Sequence, residues 1–296
     1  MYSKEELVLV GNTTINLEYI IVGLVFLVAL WLSTQNEGPS KFPKYVTDQF
    51  TFTAWVNEGE DFLKKNYRWM TKIVAGYIKA CYYFVEDFLL DSPWLLIAAI
   101  IFLPCLIAGG LRLGLYSLFV VYFWGATGMW EPSLQTVALM GLSVLLCVFF
   151  GFILGVLCSQ SDRFENFMKP VLDTMQVMPA FVYLFPALFF FGIGGAPAIL
   201  ATMIYGMPPI IRLTNSGIRQ VPAQTIESAT AFGSNKLQLL FKIKIPLSLP
   251  SIMMGINQVI MMALALVVLA CFIGAEGIGG QVWHCLLYTS PSPRDQ

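Results

Sequence analysis

From Leu134 to Cys158 the chain runs 25 residues without one charged side chain. The hydrocarbon core of a bilayer is about 30 Å thick, and roughly 20 apolar residues in a helix cross it. Six other stretches qualify or nearly qualify: Tyr19 to Ser33, Trp94 to Leu111, Leu113 to Gly128, Met178 to Ile193, Ala196 to Ile211 and Ile252 to Ile273. Only 12% of the residues are charged, about half the share usual in a soluble domain, so lipid is the solvent for much of the surface. The predicted fold is all-α, a polytopic membrane helix bundle of about seven spans.

Prolines interrupt several runs: Pro104 in the second, Pro186 in the fifth, and Pro208 and Pro209 in the sixth. Broken helices are tolerated at membrane depth where protein or a water-filled cavity surrounds the freed carbonyls. The short fifth and sixth runs are therefore either pathway-lining segments or ordinary kinked helices. Asn257 and Gln258 are polar groups within an apolar span and are expected to face the bundle interior. They either line a pathway or gate, or make an interhelical hydrogen bond. Gln176 and Pro179, at the entry to the fifth run, carry the same two readings.

Basic residues in short loops set the orientation. Arg112, Arg163, Lys169, Arg212, Arg219, Lys236, Lys242 and Lys244 fall on one side, while the opposite loops carry Glu131 and Glu276. The basic side is predicted to be cytoplasmic. Residues 34–92 then lie outside, although they hold seven basic residues. Residues 1–92 are read as a first span followed by an amphipathic interfacial helix. Its apolar face is Trp69, Ile73, Tyr77, Cys81, Phe84 and Phe88, against a charged stripe of Lys65, Lys72, Lys79 and Glu86. A soluble helical hairpin is the competing reading of that segment.

Several chemistries are disfavoured. The six cysteines show no C-x-x-C spacing and His284 has no evident partners, so no metal site is expected. No catalytic residues are assigned. A formal charge of −1 offers no field for nucleic acid. No G-x-x-x-x-G-K-[ST] phosphate loop occurs, so the chain is not expected to hold ATP. No cleavable signal peptide is evident. Residues 285–296, CLLYTSPSPRDQ, read as translated adapter sequence joined to a truncated frame and are left outside the expected fold.

The 214–250 loop carries the functional signal. Ile226, Ala229 and Phe232 mark one face of a short helix, and Gly233 ends it. Ser234 or Asn235 caps a second helix bearing Leu237, Leu240, Phe241 and Ile243, which Pro246 and Pro250 are expected to stop. Spacing alone leaves open a solvated connector or an element that docks into a partner's groove. The pattern Glu227-Ser228-Ala229, Gly233, Ile243-x-Ile245-Pro246 resembles the EAA loop of binding-protein-dependent ABC importers, with Ser228 and Ile245 as mild departures. The segments KPVLDTMQ from Lys169, PAFVYL from Pro179, PPIIRLT from Pro208 and GINQ from Gly255 are similar to permeases of the glycine betaine/proline importers. The resemblance covers about Pro93 to Gly280.

That resemblance implies a type I ABC importer permease (MetI-like) in residues 93–284, multi-pass in a bacterial inner membrane. It implies that Glu227, Ser228, Ala229, Gly233, Ile243 and Pro246 couple to a separate ATPase subunit, which carries the ATP and Mg. It further implies a periplasmic or extracellular substrate-binding protein, a second permease copy, and small quaternary amines such as glycine betaine, proline betaine or choline as cargo. The family continues past Gly280 with one more span, which is not expected here. An ion-coupled secondary transporter of small zwitterions would usually need buried carboxylates or histidine in its spans. A purely structural scaffold would need no docking loop.

Overall fold

The computed structural model describes residues 7–10, 13–16, 21–28, 31 and 52–289. By internal contacts the chain forms two units, Met1–Phe62 and Leu63–Gln296. In the first, β1 (Leu7–Val10) pairs antiparallel with β2 (Thr13–Asn16), Leu7 opposite Asn16. Residues 21–28 of the first apolar run are helical. Most of the rest of that run lies outside the described residues.

Otherwise the described chain is helical: α1 (Phe52–Asp91), α2 (Trp94–Ala126), α3 (Trp130–Gln160), α4 (Asp162–Val177), α5 (Leu184–Phe191), α6 (Gly195–Arg219), α7 (Ala223–Ala231), α8 (Lys236–Leu239), α9 (Ile245–Leu269) and α10 (Ile278–Thr289). Four helical stretches among the described residues are long and apolar enough to cross a membrane: α2, α3, α6 and the run Lys236–Ile273. A fifth exists only as a bent pair, Asp162–Val177 with Ala180–Phe191, at 110°.

The second and third apolar runs together make α2, which is broken at Gly110 (φ 71°, ψ −170°). A Cβ placed on Gly114 would sit 3.5 Å from the Cβ of Leu106 and 2.8 Å from the Phe102 ring. Residues eight apart in a straight helix are separated by about 12 Å along the axis. The chain therefore folds back at Gly110 into two arms of roughly 24 Å each. Only glycine adopts this positive φ without steric cost.

The core forms where α6 is clasped between α3 and α9. Ile199, Ile210, Leu139, Val259 and Leu266 are essentially inaccessible there. Small residues set the close approach, as expected where lipid supplies no hydrophobic drive between helices. A Cβ on Gly155 would lie 2.6 Å from the Thr214 Cβ and 2.9 Å from the Ile211 carbonyl oxygen. On Gly255 it would lie 3.2 Å from the Ile210 Cα. Of the two readings of the sixth apolar run, the helix within the bundle holds: α6 passes through Pro208 and Pro209 as one helix.

Three expectations change. On α1 the expected charged stripe is not solvated throughout: Glu86 (5% exposed) is buried with Tyr82 (4%), and Ile78, Val85 and Leu89 pack beside Tyr82. Trp69, Ile73, Tyr77, Cys81, Phe84 and Phe88 point outward. Glu86 tolerates burial because Gln135 and Tyr82 hydrogen-bond to it, although burial itself pushes its carboxyl above the usual range.

Pro246 and Pro250 do not stop the helix that begins at Lys236. A π turn, Leu240–Lys244, intervenes, and Ile245 N–H donates to the Leu240 carbonyl five residues back. Pro246 then sits in the first turn of α9, where its missing N–H costs little. The widened turn accommodates the ring that an α-helical turn would exclude.

A helix also follows Gly277: α10 continues through Cys285 to Thr289, into the segment expected to lie outside the fold. Cys285–Thr289 is still apolar enough to extend the helix, and residues 290–296 lie outside the described residues. At about 18 Å, α10 is shorter than a span. It is anchored by Ile278 N–H donating to Thr136 Oγ1 (2.8 Å) and by Trp283 packed edge-on to Phe272.

Candidate functional site

The loop between α6 and α9 folds as two short helices around a glycine joint. α7 ends at Ala231, and Gly233 takes the left-handed conformation (φ 82°). Its N–H donates to the Thr230 carbonyl, and Ser234 N–H donates to the Ala229 carbonyl, closing the open end of α7. Asn235, one of the two expected caps, starts α8. Its Oδ1 accepts from Gln238 N–H (2.8 Å), while Gln238 Oε1 accepts from Asn235 N–H (3.0 Å). This reciprocal box fixes the entry angle of α8.

The coupling residues named from sequence divide by exposure. Ala229 is buried, whereas Glu227, Ser228, Gly233 and Pro246 are exposed and Ile243 is half-buried. Ser228 Oγ donates back to the Gln224 carbonyl (2.8 Å), so the small polar group replaces alanine without an unpaired hydroxyl. Phe232 does not share the packed face with Ile226 and Ala229. It caps the helix end and is 93% exposed. A phenyl ring so placed is a knob without a hole.

Beyond this joint, α8, the π turn, α9 and a closing 3₁₀ turn make one helical rod, Lys236–Ile273. Gln258 lies on it, roughly 35 Å along the axis from Gly233.

An open cavity of ≈ 510 Å³ lies between this rod, α6 and the end of α4. Gln176, Tyr205, Pro209, Arg212, Gln258 and Met262 line it. Two of the four pathway residues named from sequence, Gln176 and Gln258, thus meet across one space. Pro179, which leads into the 3₁₀ turn Ala180–Tyr183, and Asn257 are not among its lining residues. Asn257 and Gln258 are exposed on this chain, contrary to the expected inward orientation. The inward face of α9 is occupied by Gly255, Val259, Ala263 and Leu266, so positions 257 and 258 fall to its side.

Sequence reading passed over Arg212 as a lining residue, and over the ion pairs that lie beside the cavity. Arg212 Nη2 donates to Asp173 Oδ1 (2.5 Å), while its Nε is buried without a partner. One turn or two further along α6, Asn215 donates to Glu165 Oε1 (3.0 Å), and Arg219 pairs with Asp162 (2.7 Å) and Glu165 (3.1 Å). Arg219 also donates to the Cys158 carbonyl (2.9 Å), and Lys169 pairs with Glu165 (3.2 Å). These bonds pin amphipathic α4 across the end of α6. The Asn215 amide first, then Lys169 and Arg219, hold the Glu165 carboxyl below its usual range. A signal was available: Asp162, Glu165, Lys169 and Asp173 recur at helical spacing on α4, matching the cations at Arg212 and Arg219.

Residues 147–291 match the model of the family described as "Binding-protein-dependent transport system inner membrane component". The chain is similar to the glycine betaine transport system permease protein OpuAB of Bacillus subtilis, 48% identical over 159 residues, 54% of this chain and 56% of that protein. It is 39% identical over 260 residues to the glycine betaine/proline betaine transport system permease protein ProW of Escherichia coli, covering 85% of this chain and 72% of that one. It is 41% identical over 221 residues to the glycine betaine/carnitine transport permease protein GbuB of Listeria monocytogenes, covering 73% and 77%. The match with the first of these spans little more than half of that relative's length.

Proposed function

This chain belongs to the binding-protein-dependent transport system inner membrane components, and from that premise we propose that it is the permease subunit of an ATP-driven importer of glycine betaine-like zwitterions. Its task is transport, not chemistry on the cargo. ATP and Mg belong to a separate ATPase subunit, and an extracellular or periplasmic binding protein delivers the substrate. A second permease copy completes the pathway. Exposed Asn257, Gln258 and Gln176 favour that arrangement, since polar side chains on an apolar span need water or protein beside them. The basic α6–α9 loop faces the cytoplasm.

The observation that carries this reading is the continuous rod from the glycine joint to the cavity wall. Glu227 and Phe232 project from α7 as the part an ATPase groove would hold. When the ATPase dimer closes, α7 is displaced and Gly233 swivels. The rod then tilts as a rigid body, moving Gln258 and Met262 relative to Arg212 and Tyr205. Access thus alternates between two packings biased by nucleotide.

The relatives' names give glycine betaine, proline betaine and carnitine as cargoes. All three are zwitterions with a quaternary ammonium, and that is the class proposed here. An ion-coupled mechanism would run without any ATPase, so stoichiometric co-purification of an ATPase separates the two.

Gly233→Pro tests the coupling. Proline's φ of about −65° cannot occupy the left-handed joint, so ATP-driven uptake in the reconstituted complex is expected to disappear while the protein still inserts in the membrane. Uptake at the wild-type rate would remove the coupling role.

A further inference from the structure

We propose that the cavity between α4, α6 and the rod is itself a transient binding subsite for the zwitterion. In it, Arg212 takes the carboxylate and the Tyr205 end takes the quaternary ammonium. This deepens the permease reading and rests on it.

The charge pattern is the first argument. Arg212 spends Nη2 on Asp173 but has a buried Nε with no acceptor. That Nε is closed to solvent, so an arriving carboxylate oxygen is taken by the solvent-facing donors of the guanidinium, whose side chain is 40% exposed, in a charge-assisted bond. Among the described lining residues Arg212 is the one with a full charge. Gln176 and Gln258 add neutral amides that can hold a solute without trapping it.

The opposite end of the cavity is electron-rich. Tyr205 lies seven residues before Arg212, two turns or about 10 Å along the same face of α6. Its ring stands 5.6 Å from that of Tyr183, tilted 57°, and Tyr183 is held in turn by its hydroxyl donating to the Met175 carbonyl (2.5 Å). Pro209 has no N–H to return to the Tyr205 carbonyl four residues back. An aromatic face beside a freed carbonyl suits a methylated ammonium, which donates no ordinary hydrogen bond. A cavity of ≈ 510 Å³ admits a molecule of betaine size together with water.

The Arg212 side chain leans toward the N-terminus of α6 and so toward Tyr205, which shortens the 10 Å backbone offset toward the span of a small zwitterion. A simple cation would face the guanidinium unpaired, and a simple anion would gain nothing from Tyr205. Selection by the delivering protein would then be repeated, more weakly, inside the permease.

The test uses the permease reconstituted in proteoliposomes with its ATPase and binding protein, measuring labelled glycine betaine taken up per ATP hydrolysed. Arg212→Gln is expected to lower that ratio about tenfold or more, the loss of one charge-assisted bond. Arg212→Lys should recover part of it, because the charge stays while the planar fork is lost. Tyr205→Leu should lower it about fivefold. Asp173→Asn, which removes the ion pair but leaves the guanidinium, should stay within about threefold of wild type.

An Asp173→Asn loss as deep as that of Arg212→Gln would make Arg212 a structural ion-pair partner and overturn the subsite. An unchanged ratio in Arg212→Gln would do the same. Absence of ATP-driven uptake by the wild-type complex would instead remove the permease reading, and the subsite with it.

Discussion

Helix α6 is the least hydrophobic of the described single-helix spans and the most buried: mean hydropathy 1.3, with 67% of its apolar window inside the bundle. The α2 hairpin reverses this, with mean hydropathy 2.5 and 11% buried. In water the ordering would be the opposite, because burial follows hydrophobicity. In lipid, apolar side chains gain little by leaving the surface, and close contact is left to small residues and polar groups. The glycines beside α6, its two prolines and Arg212 mark the centre of this molecule. The Phe, Leu and Ile of α2 mark its rim.

The sharpest way to break that comparison is to exchange bulk between the two regions. Gly155→Leu would drive a side chain into Thr214 and the Ile211 backbone and should destabilise the bundle by about 3 kcal/mol, or prevent folding. Ile107→Ala on α2, where the side chain is 85% exposed, should stay within about 0.5 kcal/mol. Thermal unfolding in detergent or nanodiscs measures both. Equal tolerance of the two changes would dissolve the distinction between centre and rim.

A smaller effect comes from the polar clamp at the end of α6. The Glu165 carboxyl is held below its ordinary value of 4.5, so its stabilising contribution is present above about that pH. It is lost as pH falls through the lowered folded value. Glu165→Gln should cost about 1 kcal/mol near neutral pH and flatten the fall in melting temperature on acidification. A variant with the same acid dependence as wild type would show that Asn215, Lys169 and Arg219 do not secure α4 through this carboxylate.

The smallest change in stability is expected at the loop. Phe232→Ala should leave the melting temperature within error, since the ring packs on little, yet weaken retention of the ATPase during purification. Undiminished ATPase retention would show that the ring is not part of the docking surface.

Much of the bundle was legible along the chain because charge-free runs long enough to cross a bilayer are rare outside membranes. Gly233 was legible for a similar reason: a glycine between two short apolar-faced helices needs a left-handed joint, and the structure supplies one. The face of α1 was not legible. Its outward side is as apolar as its inward side, and it takes Gln135 together with Tyr82 to make Glu86 tolerable in the interior. The arrest expected at Pro246 failed because a π turn can absorb what an α turn cannot, and α9 also continues through Pro250.

The 3.6-residue period and the absence of charge determined, from the sequence by itself, that this chain forms apolar helices joined by one structured basic loop. Tertiary structure decided which face of each helix is inside and that Gln176, Arg212 and Gln258 border one cavity. It also decided that the loop and the cavity wall share a single rod. Lipid makes both faces of a span acceptable to the same side chains, so hydrophobicity cannot choose between them, and close packing does.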